Sequence, residues 1–141
     1  NYDGPHGGQI SLPGGKYELY DASLSETAIR ENEEEIGISK ANIEIMGGLT
    51  PLYIPVSNFI VFPFISKTNL NHNIAASKIE VAELLKVNLM ELLIKDKFKQ
   101  KVWMETSYGK MQMPCYQYQN HNIWGATAMI LSELEAILKS F

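Results

Sequence analysis

The sequence predicts an α/β domain, an α/β/α sandwich built on a mixed sheet. Short runs rich in Val, Ile and Phe recur between residues 43 and 65, as strands require. Two longer stretches, one ending at Gly37 and one near the C-terminus, carry helical periodicity. The composition, 45% hydrophobic and 20% charged, is that of an ordinary globular fold.

The elements follow in order. Residues 9–12 read as a short strand. The first helix is set by its ends: Ser23-Leu24-Ser25-Glu26 has the form of a capping box, with Ser23 as N-cap and Glu26 reaching back. Gly37 stands where a left-handed C-terminal residue is wanted. Leu24, Ala28, Ile29 and Ile36 give this helix an apolar stripe, which Asn32 interrupts. Residues 43–49 form the next strand, and 52–56 with 59–65 a β pair turned at Ser57-Asn58. The polar, asparagine-rich stretch 67–78 is a loop. Residues 84–87 resume strand, and a short helix lies near 89–95. Residues 102–105 and 115–118 make a hairpin around the Gly109 turn. The last element, residues 126–139, is an amphipathic helix with Met129, Ile130, Leu134, Ile137 and Leu138 inward.

The length of 141 residues fits a single domain, residues 1–141, with a real core. A lone cysteine, Cys115, excludes an internal disulfide and fits a reducing, cytoplasmic compartment. Its expected role is that of a small, partly buried hydrophobe. No apolar run reaches membrane-spanning length; residues 58–66 are too few and contain Pro63. The net charge of −4 argues against a nucleic-acid groove.

The most informative segment is Arg30-Glu31-Asn32-Glu33-Glu34-Glu35-Ile36-Gly37-Ile38, with four carboxylates in five residues. Glu31, Glu34 and Glu35 fall at i, i+3 and i+4, so on a helix they share a face and repel one another. Hard divalent cations such as Mg²⁺, which prefer oxygen ligands, offset that repulsion. The alternative is a solvated acidic face held by ion pairs, with Arg30 bound to Glu26 one turn back or Glu34 one turn on. The glycine-rich entry Pro13-Gly14-Gly15 and its spacing to Arg30 favour the metal site.

This segment resembles the Nudix box, G-x5-E-x7-R-E-U-x-E-E-x-G-U with U aliphatic. Arg30, Glu31, Glu34, Glu35, Gly37 and Ile38 match its second half position by position. In the first half, the box glycine would fall on Lys16 and its glutamate on Ala22. Gly15 and Asp21 sit one residue early, so the loop is one residue longer, and Asn32 replaces the aliphatic residue. A longer loop of this kind is a feature of the coenzyme A pyrophosphatase branch. His6-Gly7-Gly8-Gln9-Ile10-Ser11-Leu12-Pro13-Gly14-Gly15 resembles the end of that branch's H-x-G-Q-x-x-F-P-G-G signature, with Leu12 for Phe. Ile123-Trp124-Gly125-Ala126-Thr127-Ala128 is similar to its I-W-G-x-T-A, and Glu80-Val81-Ala82-Glu83 to its E-V-A-E strand. The branch signature begins with L-L-T-x-R on a strand before the histidine. The chain starts at Asn1, so the native protein is expected to be longer, with its N-terminal strands missing here.

The resemblance implies the Nudix architecture and a metal-dependent hydrolase using Mg²⁺ or Mn²⁺. Glu31, Glu34 and Glu35 would hold the metal, joined by a downstream acid: Glu80 first, Glu83 second, unless these are surface carboxylates at a strand end. Glu34 or that downstream acid would take the proton from water, and Arg30 would organise the box as an ion pair. His6, Gln9, Gly14 and Gly15 would form the substrate side; His6 either meets the phosphates or hydrogen-bonds the loop in place. His72 and His121 read as surface residues and Trp124 as a packing anchor. Tyr17, Tyr20 and Tyr53 either line an adenine or pantetheine pocket or are structural. The implied reaction splits coenzyme A or an acyl-CoA into 3′,5′-ADP and (acyl-)4′-phosphopantetheine. Its rivals are hydrolysis of another nucleoside diphosphate derivative and a Nudix-fold binding module without turnover.

Overall fold

The computed structural model of the chain describes residues 9–69, 83–94 and 99–141. They group into two compact units. Leu12–Leu85 form the first; Lys86–Phe141, with Gln9, Ile10 and Ser11, form the second. The expected loop at residues 67–78 falls mostly outside the described residues.

The first unit opens with an irregular glycine-rich segment that leads into α1 (Leu24–Ile36). Ser23 caps it: its hydroxyl accepts the Glu26 N–H at 3.2 Å, a contact worth about 1 kcal/mol of helix stability. Gly37 ends it at φ 76°, donating its N–H to the Glu33 carbonyl at 3.0 Å. Thr27 and Ile29 are the buried positions of α1, while Leu24 is more than a third exposed. A 3₁₀ turn at Lys40–Asn42 precedes β1 (Glu44–Gly48). Then come β2 (Leu52–Ile54), β3 (Phe59–Val61) and β4 (Phe64–Lys67).

β1 pairs antiparallel with β4, with an irregularity at Met46. β2 pairs antiparallel with β3, the turn using Asn58 at φ 55°. The run 59–65, expected as one strand, is thus two strands with different partners. Pro63 has no N–H to give a ladder, and its carbonyl instead accepts the Leu49 N–H at 2.9 Å.

The second unit contains α2 (Leu89–Ile94), β5 (Lys99–Thr106), β6 (Gly109–Tyr118), β7 (His121–Ile123) and α3 (Gly125–Lys139). The expected hairpin is present and longer than its sequence signal, running from Lys99↔Tyr116 to Thr106↔Gly109 with Gly109 at φ 98°. β7 joins as a third strand after Gln119 and Asn120, both at positive φ (47° and 65°). Positive φ at both central residues matches the right-handed twist of paired strands. His121 is therefore a half-buried strand residue, not a loop surface residue.

The core of this unit is Leu92, Tyr116, Ile123 and Ala128, with Ile10, Val87, Leu131, Leu134 and Leu138 packed against it. Leu92 and Ile123 are the most completely buried, each contributing about 1.5–3 kcal/mol through burial. α3 presents Ala128, Leu131, Leu134 and Leu138 inward, and Met129, expected inward, is 57% exposed. Cys115 is buried as expected, and burial pushes its thiol pKa up.

Residues 9–12 and 84–87, expected as strands, are irregular. Ile10 spends its carbonyl on the Thr127 hydroxyl at 2.9 Å and its side chain on the core. Residues 84–87 lead into the Asn88 cap of α2, whose side chain accepts the Glu91 N–H at 3.0 Å. The molecule is α/β, as the sequence predicts. Every strand pairing among the described residues is antiparallel, and none closes a barrel. Among the described residues no helix is long and apolar enough to cross a membrane.

Candidate functional site

The glycine loop folds over the acidic face of α1. The Gly14 N–H donates to Glu35 Oε1 at 3.2 Å. Gly15 lies so close to Glu31 that a Cβ there would collide with all three carboxylate atoms. The Lys16 carbonyl accepts from Arg30 Nη2 at 3.0 Å. Three consecutive loop residues are thus each fitted to a side chain of α1, and two of those side chains are box carboxylates.

Arg30 is the hub. Its Nε donates to Asp21 Oδ1 at 2.9 Å and its Nη2 to Asp21 Oδ2 at 3.1 Å, a two-pronged pair that fixes the planar guanidinium. That leaves Nη1 to reach Glu31 at 3.0 Å and Glu34 at 3.4 Å. The guanidinium also lies 5.4 Å from the Tyr20 ring centre. Helix spacing offers Arg30 two partners, one turn to either side. Glu34 is realised, at long range, and Glu26 is not; Glu26 pairs with Lys40 at 2.7 Å instead.

Asp21 is the residue that helix-based reasoning missed. Its carboxylate is buried and accepts from the Thr27 hydroxyl at 2.8 Å and the Glu18 N–H at 2.9 Å, besides both bonds from Arg30. The signal was in the sequence: Asp21 stands where the box glutamate falls once the loop is allowed its extra residue. The hydrogen bonds from Arg30 hold the Asp21 carboxyl well below the usual carboxylate range, aided by Glu18 and Thr27 against the opposing effect of burial. Asp21 in turn raises the Arg30 pKa, so the guanidinium is charged at every accessible pH.

A stability profile against pH follows. Asp21's folded pKa lies below its unfolded value of about 4, so its contribution is complete above about pH 4 and is lost as pH falls towards the folded pKa. Asp21→Asn is expected to lower the melting temperature at pH 7, with the gap to wild type narrowing below about pH 4. Thermal melts across that range check it; a gap independent of pH would contradict the assignment.

Glu31 and Glu34 share one guanidinium nitrogen, and Glu35 lies under the Gly14 amide. The Glu31 side chain is 16% exposed and that of Glu34 47%, so Glu34 is the more open to water. These hard oxygen donors on one helix face suit Mg²⁺ or Mn²⁺ in chemistry. Their carboxylates are turned to Arg30 and Gly14, and among the described residues no three acidic, His or Cys side chains already converge as a cation cage. Glu80 and His6 lie outside the described residues. Glu83 is an exposed residue of the segment before α2. Gln9 is half-buried and belongs to the second unit, whereas Gly14 and Gly15 belong to the first.

Tyr17, Tyr20 and Tyr53 are all half exposed or more, and Tyr53 donates its hydroxyl to Asn58 Oδ1 at 2.9 Å. A shallow cavity of about 380 Å³ is lined by Tyr20, Asp21, Ala22, Glu26, Ile29, Arg30, Glu33 and Lys40. The Asp21–Arg30 pair therefore borders it, whereas Glu31 and Glu35 lie on another face of α1.

A family model described as the NUDIX domain matches residues 2–106. Proteins from Yersinia enterocolitica and Photorhabdus laumondii, both described as uncharacterized Nudix hydrolase NudL, are 35% and 32% identical over 131 residues. A protein of the same description from Pectobacterium atrosepticum is 33% identical over 129 residues. Each comparison covers 92% of this chain, and the chain spans 65%, 68% and 66% of the respective relatives' lengths.

Proposed function

Because the chain belongs to the Nudix family, we propose that it is a metal-dependent pyrophosphohydrolase acting on coenzyme A or an acyl-CoA. The products would be 3′,5′-ADP and 4′-phosphopantetheine or its acyl form. The observation that carries the reading is the fit of Gly14 and Gly15 onto Glu35 and Glu31, which fastens the loop to the acidic ridge of α1.

Glu31, Glu34 and Glu35 would hold a divalent ion, as family members generally do, and Mg²⁺ and Mn²⁺ both suit these oxygens. Such an ion supplies charge neutralisation and polarisation at the phosphates. The protein's own part is positioning. Asp21 fixes Arg30, Arg30 restrains Glu31 and Glu34, and the side-chain-free backbone at Gly15 lets the loop approach Glu31. In hydrolysis the water oxygen bonds to one phosphorus, the bridging P–O bond breaks, and the leaving phosphate takes the electron pair. Glu34, the more exposed carboxylate, takes the water's proton on Oε.

The coenzyme A assignment draws support from the longer loop, which places Asp21 rather than Ala22 against Arg30. The I-W-G-x-T-A match adds to it: Trp124 precedes α3 and Thr127 ties that helix to Ile10. A substrate panel tests the assignment. With full-length protein and Mg²⁺ or Mn²⁺, kcat/KM is expected to fall at least tenfold when pantetheine is replaced by a sugar or a second nucleoside, and to vanish with chelator. Equal or better turnover of the sugar or dinucleoside compounds would overturn the coenzyme A assignment and leave the family reading intact.

A further inference from the structure

We infer that Lys16 is a diphosphate-binding residue, kept available beside the acidic helix by the Phe59 ring. The inference rests on the pyrophosphohydrolase reading and names a residue for its substrate contact. Lys16 follows Gly15 directly, and its carbonyl is pinned to Arg30 Nη2 at 3.0 Å, so its position at the loop is fixed by the box itself. Its exposed side chain runs to β3, where the ammonium lies 5.2 Å from the centre of the Phe59 ring.

Charge placement in this unit makes the contact informative. Among its described cations, Arg30 is bound to Asp21, Lys40 to Glu26 at 2.7 Å and Lys67 to Glu44 at 3.3 Å. Lys16, the one adjoining the glycine loop, lies over an aromatic face instead. A lysine free to swing beside three box glutamates would pair with one of them and be lost to an anion. An exposed cation–π contact is weak enough to be surrendered and strong enough to hold the stem aside. A charge-assisted bond to a phosphate oxygen is the stronger attraction. Among the described residues of this unit, Lys16 is thus the positive charge at the loop that a diphosphate approaching Glu31, Glu34 and Glu35 meets uncommitted to a carboxylate, and Phe59 is the residue that keeps it so.

The test uses full-length protein with Mg²⁺, inorganic pyrophosphate as a binding probe, and coenzyme A for turnover. Lys16→Met keeps the stem and removes the charge. It is expected to raise both the Kd for pyrophosphate and KM by about tenfold, the loss of one charge-assisted contact, with the larger effect on KM rather than kcat. Lys16→Arg should recover most of the loss. Phe59→Leu should weaken binding in the same direction by releasing the ammonium to the box carboxylates. A Lys16→Met protein with wild-type Kd and KM would overturn the inference while leaving hydrolysis in place. Wild-type protein that binds pyrophosphate through Lys16 yet hydrolyses no nucleoside diphosphate would sustain the anion site and sink the hydrolase reading.

Discussion

Glu34→Gln is expected to lower diphosphate hydrolysis by about 10²- to 10³-fold while leaving the melting temperature close to that of wild type. The contrast follows from how Glu34 is held. Its side chain is 47% exposed, and its contact to Arg30 Nη1 is long, 3.4 Å. Such an exposed pair contributes little to stability. The amide keeps the shape of the side chain but removes the negative charge and, on the proposed mechanism, the proton acceptor. Glu31→Gln makes an instructive neighbour: Glu31 is more buried, sits 3.0 Å from Arg30 and underlies Gly15, so its loss is expected to cost stability as well as rate. Steady-state rates with thermal melts on both variants check the pair of outcomes. A Glu34→Gln enzyme with near wild-type turnover would remove Glu34 from the chemistry.

Gly15→Ala is expected to be the second most damaging single change, about 10²-fold in rate, in a protein that still folds. The added methyl would occupy the place of the Glu31 carboxylate. What it meets is the end of a flexible side chain rather than backbone, so the chain can yield by moving Glu31. That yielding is the damage: a displacement of about 1 Å in a positioned group is enough for a loss of this size. Gly14→Ala is the matched control, because a Cβ at Gly14 meets open space. Circular dichroism, melting temperature and kcat/KM for the two alanine variants separate the effects. Equal activities would show that the close approach at Gly15 is dispensable.

The box helix was legible because its instructions are local. Ser23, Gly37 and the one-face spacing of Glu31, Glu34 and Glu35 are matters of capping and helix periodicity, which near neighbours in the chain decide. The Arg30 partner was not legible from helix spacing, because Asp21 lies outside the helix and reaches Arg30 only once the loop has folded back. The hairpin at Gly109 declared itself, whereas β7 did not: Gln119 at positive φ is an uncommon choice that no turn rule flags. In α3 the consecutive apolar residues Met129, Ile130 and Leu131 left the phase of the helix open. Packing resolved it in favour of Ala128, Leu131, Leu134 and Leu138. The strands expected at residues 9–12 and 84–87 failed for a shared reason. Apolar residues report burial, and here Ile10 and Val87 are packed on a core without joining a ladder.

The decisive measurement is phosphorus NMR of coenzyme A incubated with the full-length protein and Mg²⁺ or Mn²⁺, run beside Glu34→Gln and beside a chelator-treated sample. Metal-dependent hydrolysis at the box predicts that the diphosphate signals give way to those of the phosphomonoesters of 3′,5′-ADP and 4′-phosphopantetheine in the first sample alone. Coenzyme A left intact by folded, metal-supplied protein, or cleaved equally by Glu34→Gln, would contradict it.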